Sequence, residues 1–266
     1  MICLDIDGTL LNSKHKITPK TKEAIKKIYK EKNIPVILIS ARMPDAIFFL
    51  QKELEIKAPI VCYSGALVLD SNYNIISNVY INCNFVKEVL TNIEGLDIHK
   101  SLYSNNKWFI SKEDKWSRLE SKIIERSPSI INFEELFKVK YISESGFNKI
   151  LLIGDEVEAK KTYELLKKMN THMVNIHMSK PTYIEIMSKN ISKTKALKEL
   201  LNIYNIDKSE VLAIGDNYND MDMLEFAGMG IAMGNAPDEV KRISNDVTLS
   251  NDEDGVAEAI YKHFLL

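Results

Sequence analysis

The chain has little of what several large classes of protein require. Its 266 residues include three cysteines, Cys3, Cys62 and Cys83, with no CxxC among them. Pairing two would leave an odd thiol, which fits a reducing compartment rather than a disulfide framework. No apolar run approaches the roughly 20 residues of a membrane-spanning helix, so no membrane partner is expected. The N-terminus has no basic segment followed by a long apolar stretch, and no secretory signal peptide is expected. Basic charge is not in excess, because 35 Lys and Arg stand against 37 Asp and Glu. Nucleic-acid binding needs clustered positive charge and has no support here. The Lys-rich stretches KTKEAIKKIYKEK and EAKKTYELLKK are interleaved with Glu and apolar residues, the pattern of solvated helix faces. No internal repeat or low-complexity tract is present. What remains, 45% hydrophobic and 27% charged residues, supports a soluble, cytoplasmic globular protein of one large domain or two modest ones.

Both ends of the chain alternate strand-like and helix-like segments. ICLDI, IPVILIS, APIVCYS, SEVLAIGD and MGIAMG are short apolar runs, as strands buried on both faces are. Between them, ITPKTKEAIKKIYKEKN, PDAIFFLQKEL, SKTKALKELLNIY, YNDMDMLEFAG and DGVAEAIYKHFL have helical patterning. In the first helix Thr18 can cap, Pro19 suits the first turn, and Ala24, Ile25, Ile28 and Tyr29 share a face. Such alternation predicts a parallel sheet between helices. The middle differs. Hairpins are expected around Asn72–Asn74 and around Asn105 and Asn106. The amphipathic segments between about Asn82 and Pro181 predict a smaller α+β domain inserted into the α/β one.

The chemistry starts in MICLDIDGTL. Asp5 and Asp7 end a strand, and residues two apart on a strand point the same way, so two repelling carboxylates face one small volume. In open α/β sheets ligands gather at this carboxyl end. A hard divalent cation would relieve the repulsion, and Mg²⁺ prefers one or two carboxylates together with waters and phosphate oxygens. A second acidic set, Asp216, Asp220 and Asp222 in VLAIGDNYNDMDML, ends another buried strand. If the two strands are neighbours, Asp5 and Asp216 can share one ion. Asp can attack phosphorus and form an aspartyl-phosphate, and a carboxyl two residues on can protonate the leaving oxygen. A calcium EF-hand is excluded, since D-x-[DN]-x-[DN]-G fails in both clusters.

Four separated segments, Asp5-x-Asp7-Gly-Thr, Ser40 after VILI, Lys193 opening a helix in ISKTKAL, and Gly215-Asp-Asn-Tyr-Asn-Asp, resemble in order the four motifs of the haloacid dehalogenase superfamily. The place and size of the insertion, with PTYIEIMSKNISKTKAL and AGMGIAMGNAPDEVK, resemble the Cof-like (IIB) phosphatases and their C2B cap. The resemblance implies a Rossmann-like core, residues 1–81 and 186–266, and an α+β cap, residues 82–185. It also implies a Mg²⁺-dependent phosphatase of small phosphorylated metabolites, with sugar phosphates foremost. Asp5 would be the nucleophile. Asp7 would be the general acid/base, with its backbone carbonyl on Mg²⁺. Ser40 would bind a phosphoryl oxygen and Lys193 would offset transition-state charge. Asp216 would hold the metal, while Asp220 and Asn219 would hold Lys193 or a metal-bound water, Asp220 counting with the metal set. Amides near Ser64 and Gly65 would position the substrate. Arg42 either touches phosphate or anchors its loop. The chain departs from the subfamily in Ser40-Ala41-Arg42 for Thr-Gly-Arg, in Ser64-Gly65 for Asn-Gly, and in a first strand starting almost at Met1.

The other conspicuous residues take ordinary readings. Asp222 and Glu225 are expected as helix-dipole and surface charges, His172 and His177 as structural or exposed, Trp108 and Trp116 as core. A sugar phosphomutase and a non-catalytic phospho-sugar sensor are the competing readings; Asp7 opposes the sensor, which needs no leaving-group acid. Nothing in the sequence specifies an oligomeric state.

Overall fold

The structure is a computed structural model and describes residues 1–169 and 171–265. Its strands are β1 (Ile2–Leu4), β2 (Val36–Ile39), β3 (Ile60–Cys62), β4 (Leu67–Leu69) and β5 (Ile75–Asn78). They continue with β6 (His99–Ser104), β7 (Lys107–Ile110), β8 (Ser129–Ile130), β9 (Lys149–Ile153), β10 (Val174–Lys180) and β11 (Tyr183–Ser188). The last are β12 (Leu212–Gly215), β13 (Met229–Ala232) and β14 (Asp246–Val247). The chain forms two compact units. The first comprises Met1–Ala41, Ile47–Ile76 and Ser192–Leu266, the second Arg42–Ala46 and Ser77–Ile191. Among the described residues no helix is long and apolar enough to cross a membrane.

The first sheet has the order β14-β13-β12-β1-β2-β3-β4-β5. Pairing is parallel from β14 through to β3 and antiparallel between β3 and β4. β1, β2, β3 and β12 are buried along their whole length, which is why ICL, VILI, IVC and LAIG read as unbroken apolar runs. β1 is short, yet it is central and held on both sides from its first residue. The Met1 ammonium donates to the Glu210 carbonyl at 2.9 Å, Leu212 N–H donates to the Met1 carbonyl at 3.0 Å, and Ile2 N–H donates to Pro35. Register pairs Leu4 with Ile214 and with Leu38, so β1, β12 and β2 end level with one another. Helix Pro19–Glu31 starts as expected: the Thr18 side chain caps the Thr21 amide, and Ala24, Ile25 and Ile28 are buried.

Two C-terminal segments depart from the single helices expected. In YNDMDMLEFAG a 3₁₀ turn at Tyr218–Asp220 precedes the helix Met221–Phe226. The turn forms because the Asp220 carboxylate folds back onto the amides of Asp216 and Asn217. In DGVAEAIYKHFL the α-helix stops at Ile260 and continues as a π turn over Tyr261–Leu265.

The second unit is built on a sheet of order β10-β11-β9-β6-β7-β8. β6 and β7 form a hairpin through Asn105 and Asn106, with Asn105 in the left-handed region at φ 51°. Alternate residues Leu102, Ile150, Leu152, Ile184 and Ile186 pack one face against Phe85, Val86, Val89 and Leu166 from two helices. The sequence boundary between 185 and 186 falls inside β11, which pairs with β9 along Tyr183–Met187, so this unit continues to Ile191.

The opposite face of the sheet is polar but buried. His99 bonds the Asp114 carboxylate through Nδ1 and the Ser101 hydroxyl through Nε2, both at 2.8 Å. The Trp108 indole N–H also donates to Ser101 at 2.8 Å, which makes Trp108 a core residue. Asp114 caps helix Lys115–Ile124 as well, accepting from the amides of Trp116 and Ser117. Asp114→Ala therefore removes a cap and a histidine partner together, and is expected to cost about 1–2 kcal/mol. Both tryptophans belong to the second unit, so urea denaturation followed by tryptophan fluorescence reads this unit directly. A lowered midpoint is expected, and an unchanged one would contradict the assignment.

Candidate active site

β1 and β12 are adjacent and parallel, so the residues that follow them emerge side by side. Asp5 N–H donates to the Ile214 carbonyl at 3.0 Å, one step past the last register pair. Asp216 follows Gly215 at the end of β12. Carboxylate oxygens of Asp5, Asp216 and Asp220 all lie within 4.8 Å of one another. Asp5 is buried at 7% exposure, Asp220 is fully enclosed, and Asp216 is half-buried.

Lys193 enters this cluster from the N-terminus of helix Lys193–Tyr204, just after the Ser192 cap. Its ammonium is 2% exposed and bonds both the Asp5 carboxylate and Asp220 Oδ1, the latter at 2.6 Å. The other Asp220 oxygen accepts from the amides of Asp216 and Asn217, each at 3.0 Å. Asp220 is thus occupied on both sides. It fixes the lysine and the turn, and Asn219 on the same turn is exposed.

Three buried or half-buried carboxylates surround one ammonium, and the acidities of Asp5 and Asp216 respond. Burial, together with the Asp220 and Asp216 charges, raises Asp5 well above the carboxylate range despite the opposing pull of Lys193. Asp216 is pushed up to about 6 by burial and then by Asp220. Burial by itself would depress Lys193; Asp220 and Asp5 outweigh it and raise the ammonium above its ordinary value. The cluster has more negative charge than it can keep ionised without a further cation.

The surrounding loops keep these groups in place. Thr9, absent from the expected site, is 2% exposed and donates its hydroxyl to Asp216 at 2.8 Å. Gly8 has φ +87°, and a Cβ there would lie 2.7 Å from the Asp216 carboxyl carbon, so glycine is required on both counts. Asp7 is exposed at the bend between Asp5 and Gly8, close enough for its charge to raise Asp216 further. Ser40 is buried directly beyond β2, and its carbonyl accepts from Ser64 N–H at 2.8 Å. Tyr63, Ser64 and Gly65 are consecutive residues with positive φ. A Cβ on Gly65 would sit 2.5 Å from the Ser192 carbonyl, at the cap of the Lys193 helix. This strained turn therefore packs against the element that aims the lysine.

The expected residues Asp5, Lys193, Asp216 and Asp220 are brought into one cluster, with Asp7 beside it. Ser40, Ser64 and Gly65 share the neighbouring strand ends. Arg42 lies in the segment 42–46 that groups with the second unit. Thr9 was legible only as a member of DIDGT; no periodicity or spacing marks its contact with a residue 207 positions away. An apolar strand ending in a nucleophile-competent carboxylate, a lysine aimed at it and an adjacent acid form a constellation suited to phosphoryl transfer.

Comparison with known proteins agrees. Residues 2–260 match the family described as haloacid dehalogenase-like hydrolase. A relative from Haemophilus influenzae, provisionally named a phosphatase, is 37% identical over 98% of this chain and 96% of its own. The Bacillus subtilis 5-amino-6-(5-phospho-D-ribitylamino)uracil phosphatase YcsE is 28% identical, over 100% of this chain and 96% of its own. The crystal structure of a haloacid dehalogenase-like hydrolase from Bacteroides thetaiotaomicron superposes with a TM-score of 0.89 at 30% identity, covering 99% of this chain and 98% of that one. With its motifs converging on one buried acidic site and its whole length matched, the chain belongs to the haloacid dehalogenase-like hydrolases and is a phosphoric monoester hydrolase.

Proposed function

We propose that the protein is a Mg²⁺-dependent phosphatase of small phosphorylated metabolites, sugar phosphates foremost, acting through an aspartyl-phosphate on Asp5. The observation that carries this reading is the clustering of the Asp5, Asp216 and Asp220 carboxylates, two of which, Asp5 and Asp220, bond the Lys193 ammonium. A relative named for a phosphorylated ribityl compound supports a small polyol phosphate as the substrate class.

The donor set fits Mg²⁺, being all hard oxygen and short of positive charge. Asp5, Asp216 and Asp7, the last through its carbonyl, would hold the ion, and Asp220 serves the lysine. When bound, Mg²⁺ supplies the positive charge that lets an anionic phosphoryl group approach several carboxylates. The chain's own residues then divide the work. An Asp5 carboxylate oxygen attacks phosphorus, the phosphorus–ester oxygen bond breaks, and the leaving oxygen takes a proton from Asp7. Asp7, now ionised, accepts a proton from water as that water attacks the same phosphorus. The bond between phosphorus and Asp5 breaks, which restores the carboxylate and releases inorganic phosphate. Lys193 neutralises Asp5 and the transferring phosphoryl oxygens, and Ser40 with the amides near Ser64 and Gly65 orients the group. Arg42 either contacts the phosphate or anchors its loop.

Asp5→Asn is expected to lower turnover of 4-nitrophenyl phosphate and of a sugar-phosphate panel by at least about 10³-fold. The same variant should be the more stable protein without metal. Asp5 is driven toward its neutral form by burial, so its charge at neutral pH opposes folding, and Asn has none. A higher melting temperature at pH 7.5, by about 2–4 °C per kcal/mol gained, checks this; full turnover, or a lower melting temperature, contradicts it.

Mg²⁺ should raise the melting temperature more at pH 7.5 than at pH 5. Asp216 titrates near 6 when folded against 3.8 as its ordinary value. Its contribution to the metal-free fold is complete below about 3.8 and is lost as pH rises through about 6. At pH 5 its proton competes with the ion; at pH 7.5 the ion meets a bare carboxylate. At a hundred times its dissociation constant the ion adds about 2.7 kcal/mol. Equal shifts at both pH values would oppose Asp216 as a ligand, and no shift with no effect of EDTA on turnover would remove the metal from the reading.

A further inference from the structure

We infer that Asn235, backed by Asn251, is a positioning residue for proton transfer by Asp7; this rests on the reading of Asp7 as the general acid. Asp7 is exposed and is followed by Gly8, the residue type with the greatest backbone freedom. Within the turn, Leu10 N–H reaches the Asp5 carbonyl at 3.3 Å, Leu11 N–H reaches Ile6 at 2.9 Å, and an isolated bridge pairs Asp7 with Leu11, whose carbonyl is one of the two that the asparagines hold. Thr9 ties the inner side of the turn to Asp216. The outer side is held by two amides from the other end of the chain.

Asn235 lies just beyond β13, and its Nδ2 donates to the Gly8 carbonyl at 2.9 Å. Its Oδ1 accepts from Asn251 N–H at 3.0 Å, and that bond fixes which way the amide faces. Asn251 Nδ2 donates in turn to the Leu11 carbonyl at 2.8 Å. The pair therefore grips the peptide that follows Asp7's neighbour and the far end of the same turn. Close packing supports the clasp: a Cβ on Gly234 would meet Ser250 N at 2.7 Å, so the two asparagine-bearing segments run against each other. Asn235 itself is exposed, where a hydrogen bond adds little to folding. Its partners point to a different use. With the Gly8 carbonyl fixed, the backbone that carries Asp7 is kept from swinging about the glycine.

The test is leaving-group dependence. The value of kcat/KM reports events up to departure of the alcohol, and phenolate needs a proton more than 4-nitrophenolate does. Asn235→Ala is expected to lower kcat/KM for phenyl phosphate about tenfold or more, and for 4-nitrophenyl phosphate less than about threefold. Its melting temperature should stay near that of wild type. Asn251→Ala should act in the same direction with a smaller ratio, and it serves if Asn235→Ala does not fold. Equal losses on both esters, or no loss on either, overturn the inference while leaving the phosphatase reading intact. A wild-type protein that turns over neither ester, with Mg²⁺ present, overturns both.

Discussion

One ammonium held between two buried carboxylates governs the site. Lys193 bonds Asp5 on one side and Asp220 on the other, and with Asp216 beside them the acids outnumber it. Removing the lysine would leave buried carboxylates with no counter-charge, which costs several kcal/mol, whereas neutralising Asp5 leaves Lys193 paired with Asp220. The acids still outnumber the ammonium, which leaves the cluster short of positive charge. Burial first, and the neighbouring carboxylates after it, raise both Asp5 and Asp216. Folding thus holds these carboxylates in a state unfavourable to their charge.

The scaffold meets this demand by placing strain beside rigidity. β1 is only three residues long, yet it lies between β12 and β2 in the middle of the sheet. Register then fixes Asp5 against Asp216 without help from side chains. A lysine at the first position of a helix opposes the helix dipole, and the Asp220 carboxylate overrides that local preference. Gly8 and the turn at Tyr63–Gly65 adopt conformations that most side chains resist, and they pack against Asp216 and against the cap of the Lys193 helix. Local rules give way where the site needs them to.

How much could be read from residues alone follows from this division. The strands beneath the site are apolar on both faces and were legible as runs; the helices were legible by periodicity. Asp5, Asp216 and Asp220 were legible as acids clustered at strand ends, and Lys193 only through the resemblance of its segment to a family motif. The boundary at 185/186 has no turn or composition signal in PTYIEIMSK to place it, and in the structure Tyr183–Ser188 is one continuous strand of the second sheet. Thr9 and Asn235 are ordinary polar residues in ordinary turns. Their contacts span more than two hundred positions, and only the folded register reveals them.

A contrast within the same chain shows why composition of a cluster does not decide its chemistry. Ser101, His99 and Asp114 are linked in the order that hydrolases use to activate a serine. Yet Ser101 is fully buried, and the Trp108 indole N–H already donates to its oxygen. Burial lowers the affinity of His99 for a proton despite the Asp114 carboxylate beside it. Every donor in that array has its acceptor, so it rigidifies a sheet and caps a helix. The aspartates beside Lys193 differ in two respects: their charges are not balanced, and they lie at the carboxyl edge of a parallel sheet, where ligands gather. Unbalanced charge is what separates the acidic cluster from the satisfied His99 array.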